Sequence, residues 1–160
     1  MPPIVLTIEI ARPPYEVFSY VTDPSRFSEW QADAARGRFE ADGPPGVGSR
    51  FTTTRRIGRA ERTTTSVITE INPPRNWAAH GVDGLIRTIM HVTVTPLGES
   101  ARSLVTIYVD FRGRGIGKLL VPLVRWLGRK DVSTNCLNLK KRLEGRDEHA
   151  SFGVHYDVIE

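Results

Sequence analysis

Thiol chemistry is nearly missing from this chain, whose 160 residues include one cysteine, Cys136. No internal disulfide can form, no thiolate zinc site can be assembled, and a reducing cytoplasm is the expected setting. Long apolar runs are also lacking. The longest, Ile116 to Leu127, is interrupted by Lys118 and Arg125 and falls short of a bilayer span, so no stable membrane insertion is expected. Met1-Pro2-Pro3-Ile4-Val5-Leu6 has no basic region ahead of an apolar core, which speaks against a signal peptide. No His, Asp or Glu cluster shows metal-ligand spacing, so neither a metal nor a cofactor is implied. Charge of one sign is not concentrated either. The 22 basic and 18 acidic residues leave +4, spread along the chain, and no nucleic-acid partner is expected.

What is present is an ordinary globular balance, 39% hydrophobic and 25% charged, enough for one domain over residues 1–145 followed by a tail, 146–160. Such a domain buries roughly two-thirds of its surface on folding and needs no covalent staple. Monomer and homodimer both fit. Ile4, Leu6, Ile8 and Ile10 alternate with Val5, Thr7 and Glu9, the period of a half-buried strand. Arg12-Pro13-Pro14 stops it, and Val17, Phe18 and Val21 at helical spacing predict a short helix over Pro14 to Val21. Asp23-Pro24 then caps a second short helix bearing Phe27 and Trp30.

From Ala32 to Arg112 the pattern is strands and turns. Asp83-Gly84, read as a two-residue hairpin turn, pairs Trp77 with Met90 and Ala79 with Thr88. The turn at Gly98-Glu99, read the same way, pairs Val92 with Val105, Met90 with Ile107 and Thr88 with Val109. Both place Trp77, Ala79, Ile86, Thr88, Met90, Val92, Val94, Val105, Ile107, Val109 and Phe111 on one face, with His91, Tyr108 and Asp110 on the other. Phe51 to Ile57 and Ala60 to Ile71 flank Gly58-Arg59 as a further hairpin whose faces the Thr-rich sequence does not distinguish.

Gly115 to Leu143 reads as one long closing helix. Ile116, Leu119, Leu120, Leu123, Val124 and Leu127 form a stripe, which resumes after Gly128 with Val132, Cys136, Leu139 and Leu143. Strands first and one long helix last predict an α+β fold in which a curved antiparallel sheet wraps the helix. Gly113-Arg114-Gly115-Ile116-Gly117-Lys118 stands where a phosphate loop would, but its spacing is short and Leu119 replaces the hydroxyl residue. These glycines are instead expected to let the chain swing from the last strand into the helix.

Ile10-Ala11-Arg12-Pro13-Pro14-Tyr15-Glu16-Val17-Phe18 and Val21-Thr22-Asp23-Pro24-Ser25-Arg26-Phe27-Ser28-Glu29-Trp30 resemble the opening of the polyketide cyclase/dehydrase-like proteins of the START/Bet v 1-like (SRPBCC) superfamily. Gly46 to Phe51, Glu70 to Arg75 and the ending Leu139 to Glu144 add to the likeness. The resemblance implies a helix-grip fold: about seven strands, two short helices after the first, a long C-terminal helix, and a deep cavity between sheet and helix for lipids, polyketides or aromatic metabolites. It does not imply a particular reaction.

A small apolar ligand is therefore the expected partner, with Phe51, Arg55, Trp77, Ala79, Thr88, Met90, Val105, Ile107, Val109, Leu120, Leu123 and Leu127 as candidate contacts. A filled core without a cavity fits the same apolar pattern. The enzyme alternative is a cyclase or dehydrase acting on a poly-β-ketone, with Arg55 or Thr88 steadying an enolate. His80 and His91 read outward and His149 and His155 fall in the tail, so no histidine base is evident. Arg62 opposes Arg55, while Trp30, Trp77 and Trp126 are either ligand stackers or structural anchors. Cys136 reads as a buried thiol. A last alternative is an interaction module using the basic face of Arg125, Arg129, Lys130, Lys140 and Lys141 on a membrane or protein.

Overall fold

A computed structural model describes residues 2–99 and 101–145. In β1 (Ile4–Ile10) the two-residue period buries Ile4, Leu6, Ile8 and Ile10 and leaves Glu9 exposed. Pro14 occupies the first turn of α1 (Pro14–Val21), where its missing N–H costs nothing, and the helix buries Val17, Phe18, Tyr20 and Val21. Asp23 then accepts the Ser25 amide at 3.0 Å. That cap starts a 3₁₀ turn, Pro24–Arg26, which runs into α2 (Phe27–Trp30).

Six further strands follow: β2 (Ala34–Phe39), β3 (Arg50–Ile57), β4 (Ala60–Asn72), β5 (Asn76–Gly81), β6 (Ile86–Pro96) and β7 (Ser103–Gly113). With β1 they form one antiparallel sheet in the order β1-β7-β6-β5-β4-β3-β2, curled into a half-barrel. A second 3₁₀ turn, Gly115–Leu119, leads into α3 (Val121–Glu144), which closes the helix-grip fold. β2, which the sequence pattern does not delimit, is the far edge. It lies close against the first 3₁₀ turn because Gly37 has no side chain: a Cβ there would sit 2.4 Å from the Pro24 carbonyl oxygen.

The two long hairpins depart from the expected register. Trp77 pairs with Val92 and Ala79 with Met90, while Met90 pairs with Val109 and Thr88 with Phe111, each two residues from the predicted partner. The connections are longer than two-residue turns: residues 82–85 separate β5 from β6, and 97–102 separate β6 from β7. An even shift preserves the faces. Trp77, Ala79, Val92, Val94, Val105, Ile107 and Val109 are accordingly buried in one core. The β3–β4 hairpin forms as read, with Ile57 opposite Ala60 and Gly58 at φ +64° in the turn.

The closing helix divides into halves with different fates. Cys136, Leu139 and Leu143 are buried, and Val132 packs against the core. Its C-terminal end is tied to the start of the chain: Ala11 N–H donates to Glu144 (2.8 Å), Arg12 Nε to the Leu143 carbonyl (2.8 Å) and Lys140 Nζ to the Glu9 carbonyl (2.7 Å). The preceding stripe does not pack as predicted. Leu119 is 83% exposed, Ile116 72% and Leu123 54%, and the α-helix begins at Val121 rather than Gly115. Gly117 is pressed so tightly on β6's leading turn that a Cβ would lie 2.3 Å from the Leu85 carbonyl oxygen, and Gly115 takes φ +56°. This backbone anchor fixes the entry to α3 while leaving the leucines around it facing outward. The tail, 146–160, including His149 and His155, lies outside the described residues.

Candidate functional site

Between the concave sheet and α3 lies a cleft of about 430 Å³, a size suited to a small organic guest. Its floor is apolar because β6 and β7 alternate: Ile86 and Met90 come from one strand, and Ile107, Val109 and Phe111 from the next. Its roof is one face of α3, carrying Val124, Leu127, Val132 and Cys136. Gly128 lets the helix approach Phe111, whose ring carbon is 3.0 Å from where a Cβ would stand. A smaller space of about 60 Å³, bounded by Phe51, Trp77 and Ala79, adjoins it across Arg55, Ile86, Thr88 and Met90.

Polarity gathers at one place in this wall. Arg55 donates through Nη1 to Asp33 at 2.8 Å and through Nη2 to Gln31 at 2.7 Å. Between those two residues, the Ala32 amide donates to Asn135 of α3 at 3.0 Å, joining helix to loop. Trp30 also lines the cleft, and its buried Nε1–H has no acceptor among the described residues. A buried indole N–H ordinarily finds a partner, so an incoming oxygen would satisfy it. Asp131 stands one helical turn before Asn135 and completes the polar lining.

The candidate contacts separate into three groups. Arg55, Thr88, Met90, Ile107, Val109 and Leu127 line the main cleft, and Phe51, Trp77 and Ala79 line the smaller space. Val105, at 0% exposure, is core and lines neither. Leu120 and Leu123 also line neither, since they belong to the outward stripe. Trp126 does not close the cleft: it is 68% exposed. Arg62 pairs across the hairpin from Arg55 but stays exposed and outside both spaces. Gln31, Asp33, Asp131 and Asn135 were not anticipated. The i, i+4 spacing of Asp131 and Asn135 on α3 is the one sign of that pair in the sequence; Gln31 and Asp33 carry none.

The remaining titratable candidates lie elsewhere or are inert. His80 and His91 stack on the outer face, ring centroids 6.2 Å apart, and His91 lies 5.1 Å from Tyr108. Desolvation, then His91 and Arg112, lower the His80 pKa. Burial pushes the Cys136 thiol up to about 12, which keeps it protonated and unreactive. In the basic helix face, Arg125 is engaged by Asp110 and Lys140 by Glu144. Among the described residues no His, Cys, Asp or Glu cluster could hold a metal, and no helix is long and apolar enough to cross a membrane.

Residues 1–144 match the family described as polyketide cyclase/dehydrase and lipid transport. The chain belongs to that family. Members of the polyketide cyclase/dehydrase and lipid transport family are associated with hydrophobic ligand binding or cyclase/dehydrase-type activity. Solved structures agree on the architecture. A START superfamily protein from Mycobacterium smegmatis superposes with a TM-score of 0.75 at 15% identity, covering 92% of this chain and 100% of that one. The Zhui aromatase/cyclase from Streptomyces sp. R1128 gives 0.68 at 15% identity, over 90% and 92% of the two chains. The di-domain ARO/CYC BexL from the BE-7585A biosynthetic pathway gives 0.71 at 15% identity over 90% of this chain, which spans 47% of BexL. Identities this low speak to the fold alone. No curated protein matches this sequence.

Proposed function

We propose that this family member binds a small apolar molecule bearing an oxygen acceptor at one end, held between the sheet and α3. The asymmetry of the cleft carries the proposal: a floor of Met90, Ile107, Val109 and Phe111 faces the α3 roof, while Arg55, Gln31, Asn135 and the Trp30 indole N–H gather at one place in its wall. Burial of apolar surface supplies most of the affinity, roughly 25 cal/mol per Å² before the costs of association. The polar end orients the guest. Displacement of the apolar fluorophore phenylnaphthylamine by fatty acids and by polycyclic aromatic ketones measures the ligand class. Met90→Trp, which fills the floor, is expected to weaken the fluorophore at least about tenfold, an amount equal to ~1.4 kcal/mol. Unchanged affinity in this variant would show that the cleft is not where the guest sits.

One observation favours a second reading, cyclisation or dehydration of a poly-β-ketone. Arg55, held by Asp33 and Gln31, lines the same cleft as Thr88, which supports a reading in which a cation and a hydroxyl donor steady an enolate oxygen. Asp131 is the carboxylate available to take the proton from the carbon beside the carbonyl. Arg55→Ala and Thr88→Val in a preparation with measured turnover test these roles. Retention of full turnover in both would remove them from the reaction.

A further inference from the structure

The outward stripe at the start of α3 borders the mouth of the cleft. Ile116, Leu119, Leu120, Leu123 and Trp126 are exposed, and Leu127 is both half exposed and part of the cleft wall. Ile57, at the tip of the β3–β4 hairpin, and Leu85, in the turn beneath Gly117, add exposed apolar surface nearby: Ile57 lines the same cleft, and Leu85 touches Gly117. Exposed apolar side chains clustered at a cleft mouth are a signature of an interaction surface. Its charge selects the partner. Residues 111–130 contain Arg112, Arg114, Lys118, Arg125, Arg129 and Lys130 and no Asp or Glu. Apart from Arg125, which pairs with Asp110, these bases are exposed. A second copy of the chain docked face to face would oppose like charges, because a twofold interface brings the same patch from both subunits together. An anionic bilayer offers phosphates to the bases and acyl chains to the leucines and Trp126.

We infer that the Gly115–Leu127 face docks reversibly on anionic membrane, placing the cleft mouth against the lipid. This rests on the ligand-binding reading for its purpose but not for its test. Trp30 and Trp77 are buried while Trp126 is 68% exposed, so Trp126 reports the contact through its own fluorescence. Vesicles of phosphatidylcholine and phosphatidylglycerol in equal amounts are expected to pellet the protein and shift its emission to the blue. Pure phosphatidylcholine, or added salt, is expected to release it. Leu119→Ser with Leu123→Ser is expected to weaken pelleting at least about tenfold, since each buried leucine contributes more than one tenfold step. These side chains lie outside the core, so folding is preserved. Lys118→Glu with Lys130→Glu removes the charge component separately.

Phenylnaphthylamine binding in vesicle-free solution is measured alongside each variant. Its loss in the unaltered protein would defeat the ligand-binding proposal, whereas its retention together with absent pelleting would defeat docking. Equal pelleting on neutral and anionic vesicles would also overturn the inference. So would a concentration-dependent dimer whose Trp126 emission is already blue-shifted without lipid, an outcome that would reassign the face to self-association.

Discussion

Cys136 shows how a residue's surroundings decide its chemistry. It lines the cleft yet is 3% exposed, and burial pushes its thiol up to about 12. Near pH 8 a disulfide reagent is therefore expected to label the native protein far more slowly than the unfolded chain, whose thiol titrates near its ordinary value. Fast labelling of native protein would show that the site opens. His80 behaves oppositely. Its folded-state pKa lies below the ordinary value of 6.5, first through desolvation and then through His91 and Arg112. The unfolded chain consequently binds the proton more readily, and the associated stability is complete above about pH 6.5 and declines as pH falls toward the folded-state pKa. Urea melts across this window should show a decline that His80→Gln reduces. The sequence identified both residues correctly as buried thiol and outer-face histidine, because strand parity and helical period suffice for that. It could not pair Arg55 with Asp33 and Gln31, which lie on different elements.

At the scale of elements, the link from β7 to α3 carries the main constraint. Gly117 touches the Leu85 carbonyl so closely that alanine must move backbone rather than a flexible side chain. Gly117→Ala is expected to destabilise the protein by about 2 kcal/mol, the scale of an overpacked contact, read as a lowered urea midpoint at unchanged m-value. An unchanged midpoint would mean that the link adjusts freely. The sequence predicted that these glycines serve the turn into the helix, and they do. It did not show that the helix would start late or leave Leu119, Leu120 and Leu123 uncovered. An apolar stripe records which residues share a face, but not whether another surface lies opposite them. Here the C-terminal half of α3 has β1 beneath it, fixed by Arg12, Lys140 and Glu144, whereas the first half roofs the cleft and meets β7 through Arg125 and Gly128.

For the whole molecule, the cleft of about 430 Å³ represents apolar surface that folding alone leaves unfilled. A guest that binds only the folded state should stabilise it by mass action, about 2.7 kcal/mol at a concentration a hundredfold above its Kd. Thermal melts with increasing guest should rise continuously with the logarithm of its concentration. A guest that binds with no rise in Tm would have to bind the unfolded chain equally well, contrary to a preformed site. The same measurement on Met90→Trp should start from a changed baseline and respond less, because the added indole occupies the guest's space.

The amino-acid sequence by itself determined the two short helices after β1, the Asp23 cap, the faces of β1, β5, β6 and β7, and the placing of one long helix last. Each follows from local periods and from the fixed backbone preferences of proline and glycine. The hairpin registers, the separation of α3 into packed and uncovered halves, and the grouping of Trp30, Gln31, Asp33, Arg55 and Asn135 were decided only in the tertiary structure. Loop length and the curl of the sheet set distances between residues far apart in the chain, and a one-dimensional pattern contains no such distances.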